Sequence, residues 1–320
     1  ADIEGGFALD SLKASHAINV EVKTPGEIKE IFDAISYSKG GAVLRMLNLF
    51  LGEEVFKKGL HNYLNNNKYA NAEGEALWTA LDEASEHPVT KIMHAWLNQT
   101  GYPLVTATIE GTKLKLSQER FLFDGEDKQT IWPIPLAIRV DGRDLPHQVM
   151  DQVTMEIDLK TEPQWVNVNG EKTAFMRVHY GETALEGLQQ AIADGKLSRV
   201  DRWGLHSDVD ALTYKGRIPY KNYLNFVQCY KEETDNLVLG DVIGSLEGRG
   251  LLLSGEPFFT GLQDQAKGLY KGIFPHFGWT SKAGEDAIDA DTRSMLISVL
   301  GKAGDQEVVD EIKKLFADHA

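Results

Sequence analysis

The hydrophobic pattern of this 320-residue chain changes its period twice, and that double change constrains the fold more than any other feature. Up to about residue 100, apolar residues recur every three or four positions. At Gly101-Tyr102-Pro103 the repeat shortens to two, and after Tyr180 the helical repeat returns and persists. A repeat of 3.6 gathers apolar side chains on one face of a helix, whereas alternation gathers them on one face of a strand. The chain therefore reads as a helical part (1–100), a β part (101–180) and a second helical part (181–320).

In the first part, Ile28, Ile31, Phe32 and Ile35 predict one amphipathic helix from Glu27 onward. Val43, Leu44, Met46, Leu47, Phe50 and Leu51 predict another, stopped by Gly52, since glycine accepts the left-handed conformation that ends many helices. Glu53–Leu64, Ala72–Ser85 and Val89–Gln99 complete the set, with Asn65-Asn66-Asn67 as a polar break and Leu77, Trp78, Leu81, Ile92, Trp96 and Leu97 facing inward. In the β part, Val105, Ala107 and Ile109 alternate with polar neighbours, as do Leu114 and Leu116. Strand-like runs follow at Ile131–Val140, Val153–Leu159, Trp165–Val168 and Ala174–Tyr180, and Asp124-Gly125, Asp141-Gly142 and Asn169-Gly170 are the turn dipeptides between them. Short strands at such spacing predict a small β-sandwich. The last part offers candidate helices at 183–194, 201–214, 219–232, 235–248, 257–275, 287–302 and 305–317, with breaks at Gly195, Gly216, Gly250, Gly284 and Gly304. An unbroken series of this kind suits an α-solenoid of paired helices, although no repeat consensus is visible.

Composition limits the partners. Lys plus Arg is 33 against 48 for Asp plus Glu, a formal charge of −15. Nucleic acids and anionic membrane surfaces are gripped by clustered cations, so neither is an expected partner. No apolar run is long enough to span a bilayer. Cys229 is the one cysteine, which rules out an intrachain disulfide and fits a reducing, cytoplasmic setting. It lies inside a predicted amphipathic helix and reads as a packed thiol.

A search for chemistry among these residues returns little. The closest of the nine histidines, His87 and His94, stand seven apart, so no pair has the i, i+4 spacing that aims two imidazoles at one metal. The helical His-Glu-x-x-His signature, the phosphate loop, the Gly-x-Ser-x-Gly elbow and the Gly-x-Gly-x-x-Gly fingerprint are all missing. Asn98-Gln99-Thr100 is a glycosylation sequon, a short pattern that often occurs by chance. The carboxylates are abundant, but abundance fixes no geometry, and most of them read as solvated helix faces.

One stretch does carry information. Residues 30–47, Glu-Ile-Phe-Asp-Ala-Ile-Ser-Tyr-Ser-Lys-Gly-Gly-Ala-Val-Leu-Arg-Met-Leu, resemble the segment that follows the zinc site in the aminopeptidase N-like zinc aminopeptidases, with wording nearest to their puromycin-sensitive branch. The resemblance continues in order. Trp96 and Gly101-Tyr102-Pro103-Leu104-Val105 are similar to the family's passage from catalytic domain to sandwich, and Trp165–Asn169 and Phe175–Tyr180 to its exit from the sandwich. Asp201-Arg202-Trp203-Gly204-Leu205 with Asp208, then Phe277-Gly278-Trp279 and Leu300–Gly304, are similar to its C-terminal helical domain. Met176 departs from the pattern, since the family usually carries an aromatic residue there.

The resemblance implies mixed α and β architecture: the helical part of a thermolysin-like catalytic domain, a β-sandwich, and a helical solenoid shorter than the family's. It also implies a fragment that starts after the zinc-binding motif, with Ala1 already past the histidines, the general-base glutamate and the Gly-x-Met-x-Asn substrate loop. Zinc is then a cofactor of the parent enzyme and is not expected on this chain. The expected partners are peptide substrates and the missing N-terminal part of the same enzyme. One catalytic residue carries over, Tyr37, whose counterpart in the family stabilises the oxyanion of the tetrahedral intermediate. The chemistry is coherent, because a neutral phenol aimed at the developing charge strengthens its hydrogen bond in the transition state. Ser38, Lys39 and Gly40 complete the motif and read as helix residues beside it. The leading reading is thus a portion of a zinc aminopeptidase, inactive alone. The alternative is a non-catalytic peptide- or protein-binding scaffold that keeps the solenoid's concave surface without the metal. A structural domain pair with accidental similarity is the third.

Overall fold

Both changes of period reappear as changes of element type in the computed structural model, which describes residues 3–257, 259–282 and 284–319. Ala1, expected to lie just past the zinc site, and Phe258, within the helix expected at 257–275, fall outside the described residues. The chain divides into two compact units, Ala1–Leu188 and Gln189–Ala320.

The first unit opens with α1 (Ile3–Asp10) and α2 (Pro25–Glu30), continues through one π-helical turn (Ile35–Lys39), and then runs through α3 (Gly40–Leu51), α4 (Glu53–Asn66), α5 (Gly74–Ala84) and α6 (Val89–Asn98). Gly52 ends α3 as its position suggested: at φ 80° its amide returns to the Asn48 carbonyl. The stretch from Glu27 to Ile35 does not form the single helix that its spacing predicts. After α2 the chain bends, Phe32 is 68% exposed, Ile28 is 51% exposed, and Ile35 alone of the four expected inward residues is buried. The reason is local. Asp33 turns its carboxylate onto the amides of Ile35 and Ser36 and starts a new turn there, and that competition is what keeps Asp out of helix interiors.

The strands of the first unit are β1 (Pro103–Glu110), β2 (Lys113–Arg120), β3 (Ile134–Leu136), β4 (Arg139–Val140), β5 (Arg143–Asp144), β6 (Gln148–Met150), β7 (Thr154–Asp158), β8 (Val166–Asn167) and β9 (Arg177–Tyr180). Four of them form a sheet in the order β7-β2-β1-β9, in which β1 pairs antiparallel with β2 and parallel with β9. The others form a β3-β6 pair and a β5-β4-β8 sheet. The run expected at 131–140 is split into β3 and β4, and Ala174–Met176 precedes β9 as irregular backbone. Asp141-Gly142, both at positive φ, turns β4 into β5 as its composition requires. Asn169-Gly170 does not make such a turn. The Asn169 side chain is buried, accepting from the Ala174 amide and donating to its carbonyl, and the left-handed residues are Glu171 and Lys172.

The helical series begins with α7 (Glu182–Ala193) and fills the second unit with α8 (Arg199–Tyr214), α9 (Tyr220–Phe226, extended by a 3₁₀ turn to Tyr230), α10 (Asn236–Leu252), α11 (Phe259–Phe277), α12 (Ala287–Lys302) and α13 (Gln306–His319). Gly195, Gly216, Gly284 and Gly304 take positive φ at the breaks, whereas α10 runs through Gly250 to Leu252. Packing between α8 and α10 is partly polar. The ring of His206 is fully buried, with Nδ1 2.6 Å from the Asp241 carboxylate and Nε2 3.1 Å from the Tyr223 hydroxyl. Arg249 ion-pairs with Asp210, and its guanidinium stacks 4.1 Å from the Tyr223 ring. Cys229 sits in the 3₁₀ turn, where burial pushes its thiol up, away from the reactive thiolate.

Candidate functional site

The segment around Tyr37 is built from irregular backbone held at both ends. In the π-helical turn the Gly40 amide reaches back to the Ile35 carbonyl, five residues earlier, instead of to the usual fourth. One residue is thereby added to the turn, and such insertions reorient neighbouring side chains and recur at functional sites. Tyr37 points outward and is 59% exposed, while Lys39, two residues on, has no exposed surface.

Lys39 is the inner anchor. Its ammonium lies 2.9 Å from the Asp10 carboxylate at the end of α1, and it donates to the carbonyls of Gly101 (2.9 Å) and Gln99 (3.2 Å). Asp10 in turn accepts from the Gly101 amide (2.9 Å) and the Ser15 hydroxyl (2.6 Å). Burial pulls the lysine pKa down and the Asp10 charge opposes it. Three distant stretches of chain thus converge on one ion pair. α1 can approach because residue 6 is glycine: a Cβ there would stand 3.1 Å from the Lys39 nitrogen of the backbone and 3.3 Å from the Phe175 ring. Phe7 on the same helix stacks on Phe175 at 4.3 Å, and Tyr102 donates to the Phe7 carbonyl at 3.2 Å.

Asp33 is the outer anchor. One carboxylate oxygen accepts from the amides of Ile35 (2.8 Å) and Ser36 (3.2 Å), the other from His16 Nε2 (2.9 Å), and the Asp33 carbonyl accepts from the Tyr37 amide (3.1 Å). Burial would raise its pKa, but the hydrogen bonds from His16 and the two amides outweigh it and hold the carboxyl below its usual range.

Between the anchors the Tyr37 ring meets Phe32 edge-on at 4.8 Å, and among the described residues its hydroxyl has no hydrogen-bond partner. A phenol so placed is a neutral donor available to a group from outside. Ser38 is half-buried beside it, and Gly40 leaves ordinary contact room, 3.9 Å, for a Cβ, so close packing does not explain that glycine. The Asn98 amide of the sequon donates to the His94 carbonyl and accepts from Asn19, which engages both of its ends. No group of three His, Cys, Asp or Glu side chains that could hold a metal occurs among the described residues. No described helix is long and apolar enough to cross a membrane.

Sequence reasoning singled out Tyr37 but missed what holds it: Gly6, Asp10, His16 and Asp33. Asp33 was hidden because it falls inside the apolar spacing Ile28–Ile35, although aspartate bonding the amides two and three residues on is the usual way that residue interrupts a helix. Asp10 and His16 act across long stretches of sequence, and no local pattern marks them.

Comparison with known proteins supplies the rest. Residues 1–96 match the Peptidase family M1 domain and residues 165–320 match the ERAP1-like C-terminal domain. Aminopeptidase M1-A of Oryza sativa subsp. japonica is 36% identical over 97% of this chain, which covers 37% of that protein. Puromycin-sensitive aminopeptidase of Caenorhabditis elegans is 32% identical over 99% of the chain and is covered to 35%. Tricorn protease-interacting factor F2 of Thermoplasma acidophilum is 39% identical over 78% of the chain, covering 30% of that protein. The chain thus spans about a third of the length of the relatives it matches.

Proposed function

From the premise that the chain belongs to the M1 peptidase family, we propose that it is a portion of a zinc-dependent aminopeptidase that removes N-terminal residues from peptides. Residues 1–100 then belong to a thermolysin-like catalytic domain, 101–180 to a β-sandwich, and 181–320 to a helical solenoid that walls the peptide chamber. The partners are peptides and the zinc-bearing part of the same enzyme, in the cytosol.

Tyr37 is the catalytic contribution of this stretch. As a peptide carbonyl is attacked, negative charge gathers on its oxygen, and the phenol O–H donates to it. The bond strengthens as the charge grows, so it lowers the barrier more than it tightens substrate binding. The observation that supports this reading is the exposed phenol, without a hydrogen-bond partner among the described residues, on a turn whose two flanks are fixed. A donor set in advance loses little on reorganisation at the moment of reaction.

The test is Tyr37→Phe in the longer protein that joins this chain to its zinc-bearing segment. The expected result is a fall in kcat of about 10²–10³-fold with KM nearly unchanged. A kcat within about twofold of the parent would remove Tyr37 from the chemistry.

A further inference from the structure

We propose that His16 is a positioning residue for Tyr37: with Asp33 it forms a clasp that fixes the π-turn from which the phenol projects. The proposal rests on the catalytic reading of Tyr37, but its evidence is separate. His16 lies in the irregular stretch between α1 and α2, and its partner Asp33 is 17 residues away in sequence. Its Nε2 is 2.9 Å from the Asp33 carboxylate and its Nδ1 is 2.7 Å from the Ala17 carbonyl. Both of those oxygens can only accept, so both ring nitrogens donate and the imidazole is held as the cation. The cation balances a carboxylate whose remaining bonds all go to the turn itself, the amides of Ile35 and Ser36. The Tyr37 amide closes the same loop on the Asp33 carbonyl. His16 therefore acts on Tyr37 through Asp33 and touches no reacting atom.

The pair is also reachable by solvent, since the His16 and Asp33 side chains are 28% and 25% exposed. Burial works against the charge on His16. The Ala17 carbonyl, then the hydrogen bond and charge of Asp33, outweigh it, and the pKa is raised above 6.5. The charged groups that act on His16 are Asp33 in contact and Asp10 at longer range, the latter neutralised by Lys39. A histidine raised on folding lends its full contribution below the ordinary imidazole value and loses it as pH rises through the raised one. Asp33, held low, keeps its charge across that window and loses it only in acid. The clasp is thus closed below the ordinary imidazole value and opens as pH rises through the raised one and His16 gives up a proton.

A fluorine label reads this without any contribution from enzyme turnover. 4-Fluorophenylalanine placed at position 37 has no titrating proton, and its ¹⁹F shift reports the ring's surroundings. Over roughly pH 5 to 9, the chain with His16 should show one transition with a midpoint above 6.5. In His16→Gln, which still donates to Asp33 but does not titrate, the signal should stay at its low-pH position throughout. In His16→Ala it should sit at the high-pH position, with amide exchange at Ile35 and Ser36 faster by about tenfold or more. A signal in the His16 chain that ignores pH, or the same transition in His16→Gln, overturns the proposal. Should His16→Ala fail to fold, the comparison of His16 with Gln still decides. Failure of the catalytic reading looks different: Tyr37→Phe would leave kcat unchanged in the longer protein while the fluorine transition persisted.

Discussion

Residues 31–39 and the helix α8 both bury charged or polar side chains, yet they use them differently. In α8 such groups close on neighbouring helices: the buried His206 spans Asp241 and Tyr223, and Asp210 pairs with the buried Arg249. Regular backbone carries them, started by Ser198, whose hydroxyl accepts from the Asp201 amide. In residues 31–39 regular backbone is given up. A fully buried Lys39–Asp10 pair and the His16–Asp33 clasp hold an interrupted helix, and between them one phenol is left facing outward with no partner among the described residues. Buried polarity frames the second unit, whereas in the first it sets the orientation of an exposed donor. Departure from regular structure, supported by more interactions than the turn needs to exist, separates a site from a frame.

The contrast is broken most severely at Lys39. Lys39→Met leaves the Asp10 carboxylate buried with two neutral donors, and unpaired buried charge is costly. Urea unfolding should show a loss of ~3–5 kcal/mol, and a loss under ~1 kcal/mol would mean that the pair is not the inner anchor. Next comes the frame. Tyr223→Phe strands one nitrogen of the fully buried His206 ring, and thermal or urea unfolding should register about 1–3 kcal/mol. The smallest stability effect is expected from Ser198→Ala, which removes a local cap and should cost ~1 kcal/mol without disturbing the Tyr37 region. Any change in the Tyr37 surroundings from that last variant would contradict the distinction drawn between the two stretches.

The same contrast explains what the sequence disclosed. Helix α8 was readable at 201–214 against Arg199–Tyr214 because its signals are local: an apolar repeat and a glycine beyond its end. The Asp141-Gly142 turn was readable for the same reason. Ile28–Ile35 was misread because its apolar spacing fits a helix, while what decides its path is Asp33 competing for amides. Tyr37 itself came from resemblance; the pattern around it pointed only to a packed helix. Its supports lie at residues 6, 10, 16, 99 and 101, and periodicity reports nothing about contacts made across such distances.

A tetrahedral peptide analogue separates a catalytic donor from a merely exposed tyrosine more directly than turnover does. In the longer protein proposed above, the affinities of a phosphinic peptide and of the matching substrate are measured for the parent and for Tyr37→Phe. If the phenol serves the developing oxyanion, the analogue should weaken by about 10²-fold while substrate KM moves by less than about threefold. Equal loss for both ligands, or no loss for the analogue, would contradict the assignment of Tyr37 to the transition state.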